Sequence, residues 1–348
     1  MAGERNERDH VNGRRLGALA LAVLLVVGAW FVRRNVIDDD SEAGPDSTTV
    51  TAPDREDATA LVCIDELRDV CTALQTSRPD LTITIEPAGV TLDRLAALDD
   101  PTAAPLWLTI DPYPAMVDVA REVRSVDPIG AEVAAVGASQ LGIAFPADDP
   151  SYVATLTAHC PDTPLWRCIG DNAGEPWADL GGEASWSRLR PSFGDANNSA
   201  LGLASLANAV AGYFGDGDLT RSRWEADASF LPWFRRLAST SENAPVSDSP
   251  LRTMATRSSA LDAAATAGYE VAALDATSER FELNYPEPQM WVQAVIATPP
   301  GVAAPDDLAA DVTASIEAEG WDRPEAAGPP LPSAATLLAL RTFWNEAT

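Results

Sequence analysis

Apolar residues form one unbroken run near the start of the chain and then settle into two alternating rhythms. The run, LGALALAVLLVVGAWFV over residues 16–32, carries no charge. At about 1.5 Å per residue, a helix of this length just reaches across a hydrocarbon core of ~30 Å. Trp30 and Phe31 stand where interfacial aromatics belong, and Arg14, Arg15, Arg33 and Arg34 flank the run. No small-x-small cleavage pattern closes it and no cysteine follows closely. Residues 16–34 are therefore predicted to be an uncleaved transmembrane signal anchor, not a removable signal peptide. The excess of Arg ahead of it assigns residues 1–15 to the cytoplasm. Residues 35–58 are polar and acidic with no apolar period, the pattern of a disordered stalk.

Globular patterning starts at Thr59. Ala60–Ile64 is a short apolar run, and Leu67, Val70, Cys71 and Leu74 then fall at helical spacing within Asp65–Gln75. Leu81–Ile85 alternates β-branched residues and predicts a strand. A helix over Val90–Leu98, a strand over Pro105–Ile110, a helix over Pro114–Val123 and a strand over Gln140–Phe145 follow. This alternation predicts right-handed βαβ units and a mostly parallel sheet. Further on, Ser187–Phe193 reads as a strand, and GDANNS introduces a helix over Ala200–Phe214. Helices are expected at Ser229–Leu237 and Ser258–Ala267, strands at Phe281–Asn284 and Met290–Ala297, and terminal helices at Ala304–Glu319 and Ser333–Trp344. No internal repeat is present.

Composition changes this picture in two respects. Acidic residues number 52 against 24 basic ones, a net charge of −28, and every basic residue is Arg. The excess persists beyond Thr59, so it belongs to the large domain. Such a surface repels phosphate backbones and anionic lipid, which argues against nucleic-acid binding. The four cysteines, Cys63, Cys71, Cys160 and Cys168, lack the short spacing of a zinc site. An even number suits an oxidising compartment with local disulfides, the simplest of three connectivities; buried free thiols are the alternative.

Three stretches, taken in order, resemble the type II extracellular (periplasmic) solute-binding proteins of ABC transporters, in their molybdate- and sulfate-like branch. PLWLTIDPYPAMVDVAR looks like that family's third strand and following helix. SRLRPSFGDANNSALGLASLANAVAGYFG is similar to its second-lobe strand, polar turn and helix. NYPEPQMWVQAVIATPPG resembles its second crossover. The resemblance spans residues 59–348 and rests on order and pattern. It implies an α/β fold of two lobes, lobe one about 59–143 and 292–348, lobe two about 144–291, with a small ligand held between them. Ligands in such sheets lie beyond the carboxyl ends of parallel strands, near helix N-termini.

On that frame Asp65 and Glu66 follow the first strand, where the family places first-lobe contacts; acids there also suit a helix dipole. Thr109 and Asp111 end another strand, with a turn role before Pro112 as the alternative. Ser139 precedes the first crossover and Tyr285 lies near the second. Asn197, Asn198 and Ser199 stand before the Ala200–Phe214 helix, where side chains cap, contact ligand, or do both. Oxyanion-binding members typically offer small hydroxyl residues in the first lobe. Asp65, Glu66 and Asp111 would instead repel an oxyanion and suit a cationic or polyhydroxyl ligand; loss of binding is the other reading. Trp166, Trp177 and Trp186 fall close together, for packing or for stacking on a ligand.

No P-loop, Gly-x-Gly-x-x-Gly, His-Glu-x-x-His or Gly-x-Ser-x-Gly is present, so no catalytic residue, metal or cofactor is predicted. The sequence thus predicts a membrane-anchored extracytoplasmic solute-binding protein serving an ABC-type importer. The alternative is an envelope interaction or sensor module. The expected partners are a small ligand and an ABC permease or envelope protein, and the membrane through residues 16–34.

Overall fold

A computed structural model describes residues 58–347, apart from 149–150, 218, 242–248, 258 and 276–279. The predicted anchor at 16–34 and the stalk up to residue 57 lie outside the described residues. Among those described, no helix is long and apolar enough to cross a membrane.

Strand β1 (Thr59–Ile64) lies between β2 (Leu81–Glu86) and β3 (Leu106–Ile110) and runs parallel to both. Helix α1 (Arg68–Ser77) follows β1 through a 3-10 turn at Asp65–Leu67, and α2 (Ala88–Ala97) and α3 (Tyr113–Val123) follow β2 and β3. All five residues of β3 are buried, as a strand covered on both faces requires. The side chain of Arg121 is fully buried on α3. Its guanidinium donates to the carbonyls of Leu95 and Leu98 at 3.0 and 2.7 Å, closing the end of α2.

Strand β4 (Glu132–Pro146) is the element that joins the two halves. Its Glu132–Gln140 portion pairs antiparallel with β8 (Trp291–Thr298), which in turn pairs antiparallel with β3. Its Leu141–Pro146 portion pairs with β6 (Ala263–Ala267) and β7 (Phe281–Asn284) in a second sheet, where short β5 (Pro191–Ser192) lies parallel to β6. The chain therefore crosses between sheets twice, within β4 and again between β7 and β8. The predicted parallel character holds only for β1–β3 and for β5–β6; the sheet is mixed because the crossing strands run back against their neighbours.

Helices α4 (Tyr152–His159), α5 (Leu165–Asn172), α6 (Ala200–Phe214), α7 (Arg221–Ala226), α8 (Phe230–Ser241), α9 (Pro250–Thr256) and α10 (Gly268–Leu274) surround the second sheet. Helix α6 matches its predicted span. Ser199 caps it by accepting from the Gly202 amide at 2.8 Å, and Gly215 ends it at φ 75°. Nearly every residue of α6 is buried, the condition of a helix packed on all sides. The predicted helix at Ser258–Ala267 is corrected: AAATA is the fully buried strand β6, where small residues let β4 and β5 pair on either side. The predicted strand at Ser187–Phe193 shrinks to Pro191–Ser192.

Helices α11 (Leu308–Ala318) and α12 (Ala334–Ala347) end the chain. Helix α12 packs against α3 on one side and α6 on the other. Its Phe343 and Trp344 join Phe193, Trp224, Phe230 and Phe234 in an aromatic cluster. Disulfides link Cys63 to Cys71 and Cys160 to Cys168.

Candidate functional site

Between the two sheets lies a cavity of about 650 Å³. One wall is the turn after β1 and the start of α1, carrying Asp65, Glu66, Arg68 and Asp69. The opposite wall comes from the second sheet and its helices: Phe193–Asp195, Asn198, Ser199, Ser205, the start of α9 with Arg252, and Tyr269 and Glu270 at the start of α10. Glu319 and Trp321, just after α11, complete the lining. Strands β1 and β6 thus deliver their carboxyl ends to one space, as parallel-strand sheets place ligand sites.

The Cys63–Cys71 disulfide bridges β1 to α1 and encloses the Asp65–Asp69 turn. From that turn the Glu66 carboxylate crosses to the N-terminus of α6. Its Oε1 accepts from the Ser199 hydroxyl at 2.8 Å, the Ala200 amide at 2.5 Å and the Leu201 amide at 3.3 Å. Its Oε2 is buried without a hydrogen-bond partner among the described residues. Burial pushes the Glu66 carboxyl above its ordinary value, against the pull of these hydrogen bonds. The Tyr269 hydroxyl donates to the Glu66 carbonyl at 3.5 Å, and the Tyr269 ring stacks on Trp321 at 4.2 Å.

Other contacts span the cavity's edges. The Gly89 amide donates to the Asn198 carbonyl at 3.1 Å. A Cβ at Gly89 would stand 1.8 Å from the Asn197 carbonyl oxygen, so only glycine permits this approach. Arg341 on α12 donates to the Asn197 carbonyl at 3.1 Å and pairs with Asp93 at 2.7 Å. At the mouth, Arg252 meets Asp69 at 3.4 Å, while Arg68 pairs with Asp65. Both arginines of the lining are thus engaged by acids, and the lining carries six carboxylates. Glu270 is buried, accepts from Thr266 at 2.6 Å, and is pushed upward by that burial.

The structure brings together Asp65, Glu66, Asn198 and Ser199 among the residues expected from sequence. Thr109, Asp111, Ser139, Asn197 and Tyr285 are not on the lining. Thr109 is buried within β3, and Asp111 sits past its end at a cis peptide bond to Pro112. Ser139 is buried and accepts from the Tyr269 amide at 3.0 Å, so it supports the wall from behind. Tyr285 is 42% exposed beside the second crossing. Only Ser199 caps α6 with its side chain. Asn198 donates to Asp195 instead, and Asn197 serves through its carbonyl. Trp177 and Trp186 pack with Tyr152, and Trp166 donates to Asn208 at 2.7 Å, so none of the three lines the cavity.

Sequence reading missed Asp69, Asp195, Arg252, Tyr269, Glu270 and Trp321. Asp195 stands inside the polar turn already singled out, and its carboxylate holds that turn by accepting from the Asn197 amide at 2.9 Å. Tyr269 and Glu270 were hidden because the strand before them reads as helix. No group of three or more His, Cys, Asp or Glu among the described residues is arranged to hold a metal ion.

No protein-family model matches the chain, and no curated protein sequence does. Solved structures do. The periplasmic binding protein AfuA from Actinobacillus pleuropneumoniae, with fructose-6-phosphate bound, is similar at 11% identity and TM-score 0.53, over 83% of this chain and 98% of that one. The ferric binding protein from Campylobacter jejuni is similar at 8% identity and TM-score 0.52, again over 83% and 98%. At such identities the likeness is one of architecture: the described residues carry a mixed α/β fold that matches that of periplasmic binding proteins.

Proposed function

We propose that the chain is an extracytoplasmic solute-binding protein that captures a small cationic ligand between its two lobes for an ABC-type importer. The observation that carries this reading is the acidic cavity between the sheets, with six carboxylates and two arginines already paired. A cation entering it gains Coulomb attraction in a partly desolvated space, whereas an oxyanion meets repulsion. Asp65, the free Oε2 of Glu66, Glu270 and the ring of Tyr269 are the groups proposed to meet it. A molybdate- or sulfate-type ligand fits this charge poorly. In the proposal residues 16–34 anchor the protein as a single-pass membrane protein, and the two lobes, about 59–143 with 292–348 and about 144–291, close on the ligand.

A thermal-shift screen of the full chain in detergent against amines, divalent metals, sugars and oxyanions tests the reading. A ligand at a hundred times its Kd stabilises by about 2.7 kcal/mol, which raises the melting temperature by several degrees. Stabilisation confined to cationic compounds and lost in Glu270→Gln is expected. Stabilisation by oxyanions alone, or by nothing, would sink it.

A further inference from the structure

We infer that Glu66 is an internal ligand: its carboxylate occupies the anion site at the N-terminus of α6, fastening the first lobe to the second and barring anionic solutes from that site. This deepens the solute-capture reading and rests on it for its consequence, but its geometry stands alone. An α-helix begins with free amides that attract an anion. At α6 each is taken by the chain itself. The Ala200 and Leu201 amides donate to Glu66, and the Gly202 amide donates to Ser199. The single proton of the Ser199 hydroxyl is in turn donated to Glu66, while its oxygen accepts from Gly202. An external carboxylate or phosphate therefore finds no donor at this end unless Glu66 withdraws.

Two further observations separate this from ordinary capping. Glu66 belongs to the other lobe, so the bond is a cross-link between lobes and not a property of the helix. The second carboxylate oxygen is buried and unpartnered in a residue that lines the cavity, and a cationic group that reached it would complete it. The Gly89–Asn198 and Arg341–Asn197 contacts hold the same loop from the first-lobe helix α2 and from α12. Solute charge is thus selected by the protein's own carboxylate: anions are excluded, and cations bridge to it.

The test uses the full chain with nitroxide labels on Ala73→Cys and Thr256→Cys, exposed positions one turn beyond the Asp69–Arg252 pair at the mouth. Without added solute, the wild type should give one narrow distance distribution, and Glu66→Ala a longer, broader one. Amide hydrogen exchange supplies a readout that a merely structural role would not move. Exchange in residues 199–202 should quicken at least tenfold in Glu66→Ala, and added formate should restore protection there while leaving the wild type unchanged. Glu66→Asp keeps the charge and shortens the reach; it should broaden the distances even if the alanine variant folds poorly. Wild-type distances in Glu66→Asp, or exchange in Glu66→Ala that formate does not slow, would overturn the inference. Neither readout involves binding of a cationic solute, so a ligand screen that finds none leaves this test intact.

Discussion

The two disulfides close loops of identical length in sequence and do different work. Cys63–Cys71 spans the turn from β1 into α1, and that turn carries Asp65, Glu66 and Asp69 to the cavity wall. Cys160–Cys168 spans the connection from α4 to α5, which packs against α6 and α8 with Trp166 buried between. Asn172 reads its geometry by donating to the Cys168 carbonyl at 2.8 Å. One bridge therefore braces a recognition turn, and the other staples a packing layer. Spacing alone does not distinguish them; what the enclosed residues face does.

Replacing each cysteine pair by serine breaks this comparison most sharply. Loop-closure entropy for loops this short predicts a loss of roughly 2–3 kcal/mol for either pair, read by urea unfolding. Only the Cys63/Cys71 variant should also speed amide exchange at Ala200 and Leu201, because only that loop carries Glu66. Equal exchange in both variants would erase the distinction. Gly89→Ala comes next: a Cβ driven into the Asn197 carbonyl should cost about 1–3 kcal/mol and separate the lobes, seen as a longer spin-label distance. Ser199→Ala removes a helix cap and one donor to Glu66, an expected loss of about 1 kcal/mol by thermal unfolding.

Acidity offers a gentler probe. Burial raises the folded-state carboxyl values of Glu66, Glu270, Asp262 and Asp111. An acid raised in this way binds its proton more tightly when folded. Its contribution to stability is full below the unfolded value near ~4 and falls as pH climbs through the raised one. Asp80 and Asp100 shift downward and oppose this, but both are exposed. The melting temperature should therefore rise as pH is lowered from neutral toward about 5, and Glu66→Gln with Glu270→Gln should flatten that slope. A melting temperature that falls steadily over this range would contradict it. The smallest effect is expected at the mouth: Asp69→Asn breaks an exposed ion pair with Arg252 and should change stability by no more than about 0.5 kcal/mol.

Local signals were legible wherever the chain's neighbours along the sequence decide the outcome. Helix α6 is the example, with its cap at Ser199 and its left-handed exit at Gly215 both written into adjacent residues. Strand β6 is the counterexample. Alanine is the strongest helix former, yet Ala263–Ala267 is extended because β4 and β5 offer hydrogen bonds on both sides. The first half of β4 was missed for a related reason: EVAAVGAS has weak strand propensity and is held by its pairing with β8. The site divides along the same line. Asp65, Glu66 and Ser199 stand at element ends that the pattern marks, so they were found. That Glu66 reaches a helix more than a hundred residues later is a fact of tertiary closure, invisible to any spacing rule.

The pairing of β3 with β8 has a consequence for how the chain assembles. Trp107 lies opposite Ala297, so the first sheet lacks its inner neighbour until almost the whole domain has been made. The second sheet is complete once β7 exists, because β4–β7 are consecutive in the chain. Contacts of high sequence separation form late and slowly, whereas near ones form early. During synthesis the second sheet is thus the part able to mature first, with the earlier-made β1–β3 waiting on β8 and α12. A nascent chain halted before residue 291 should show a protected core around α6 while β1–β3 remain open to protease.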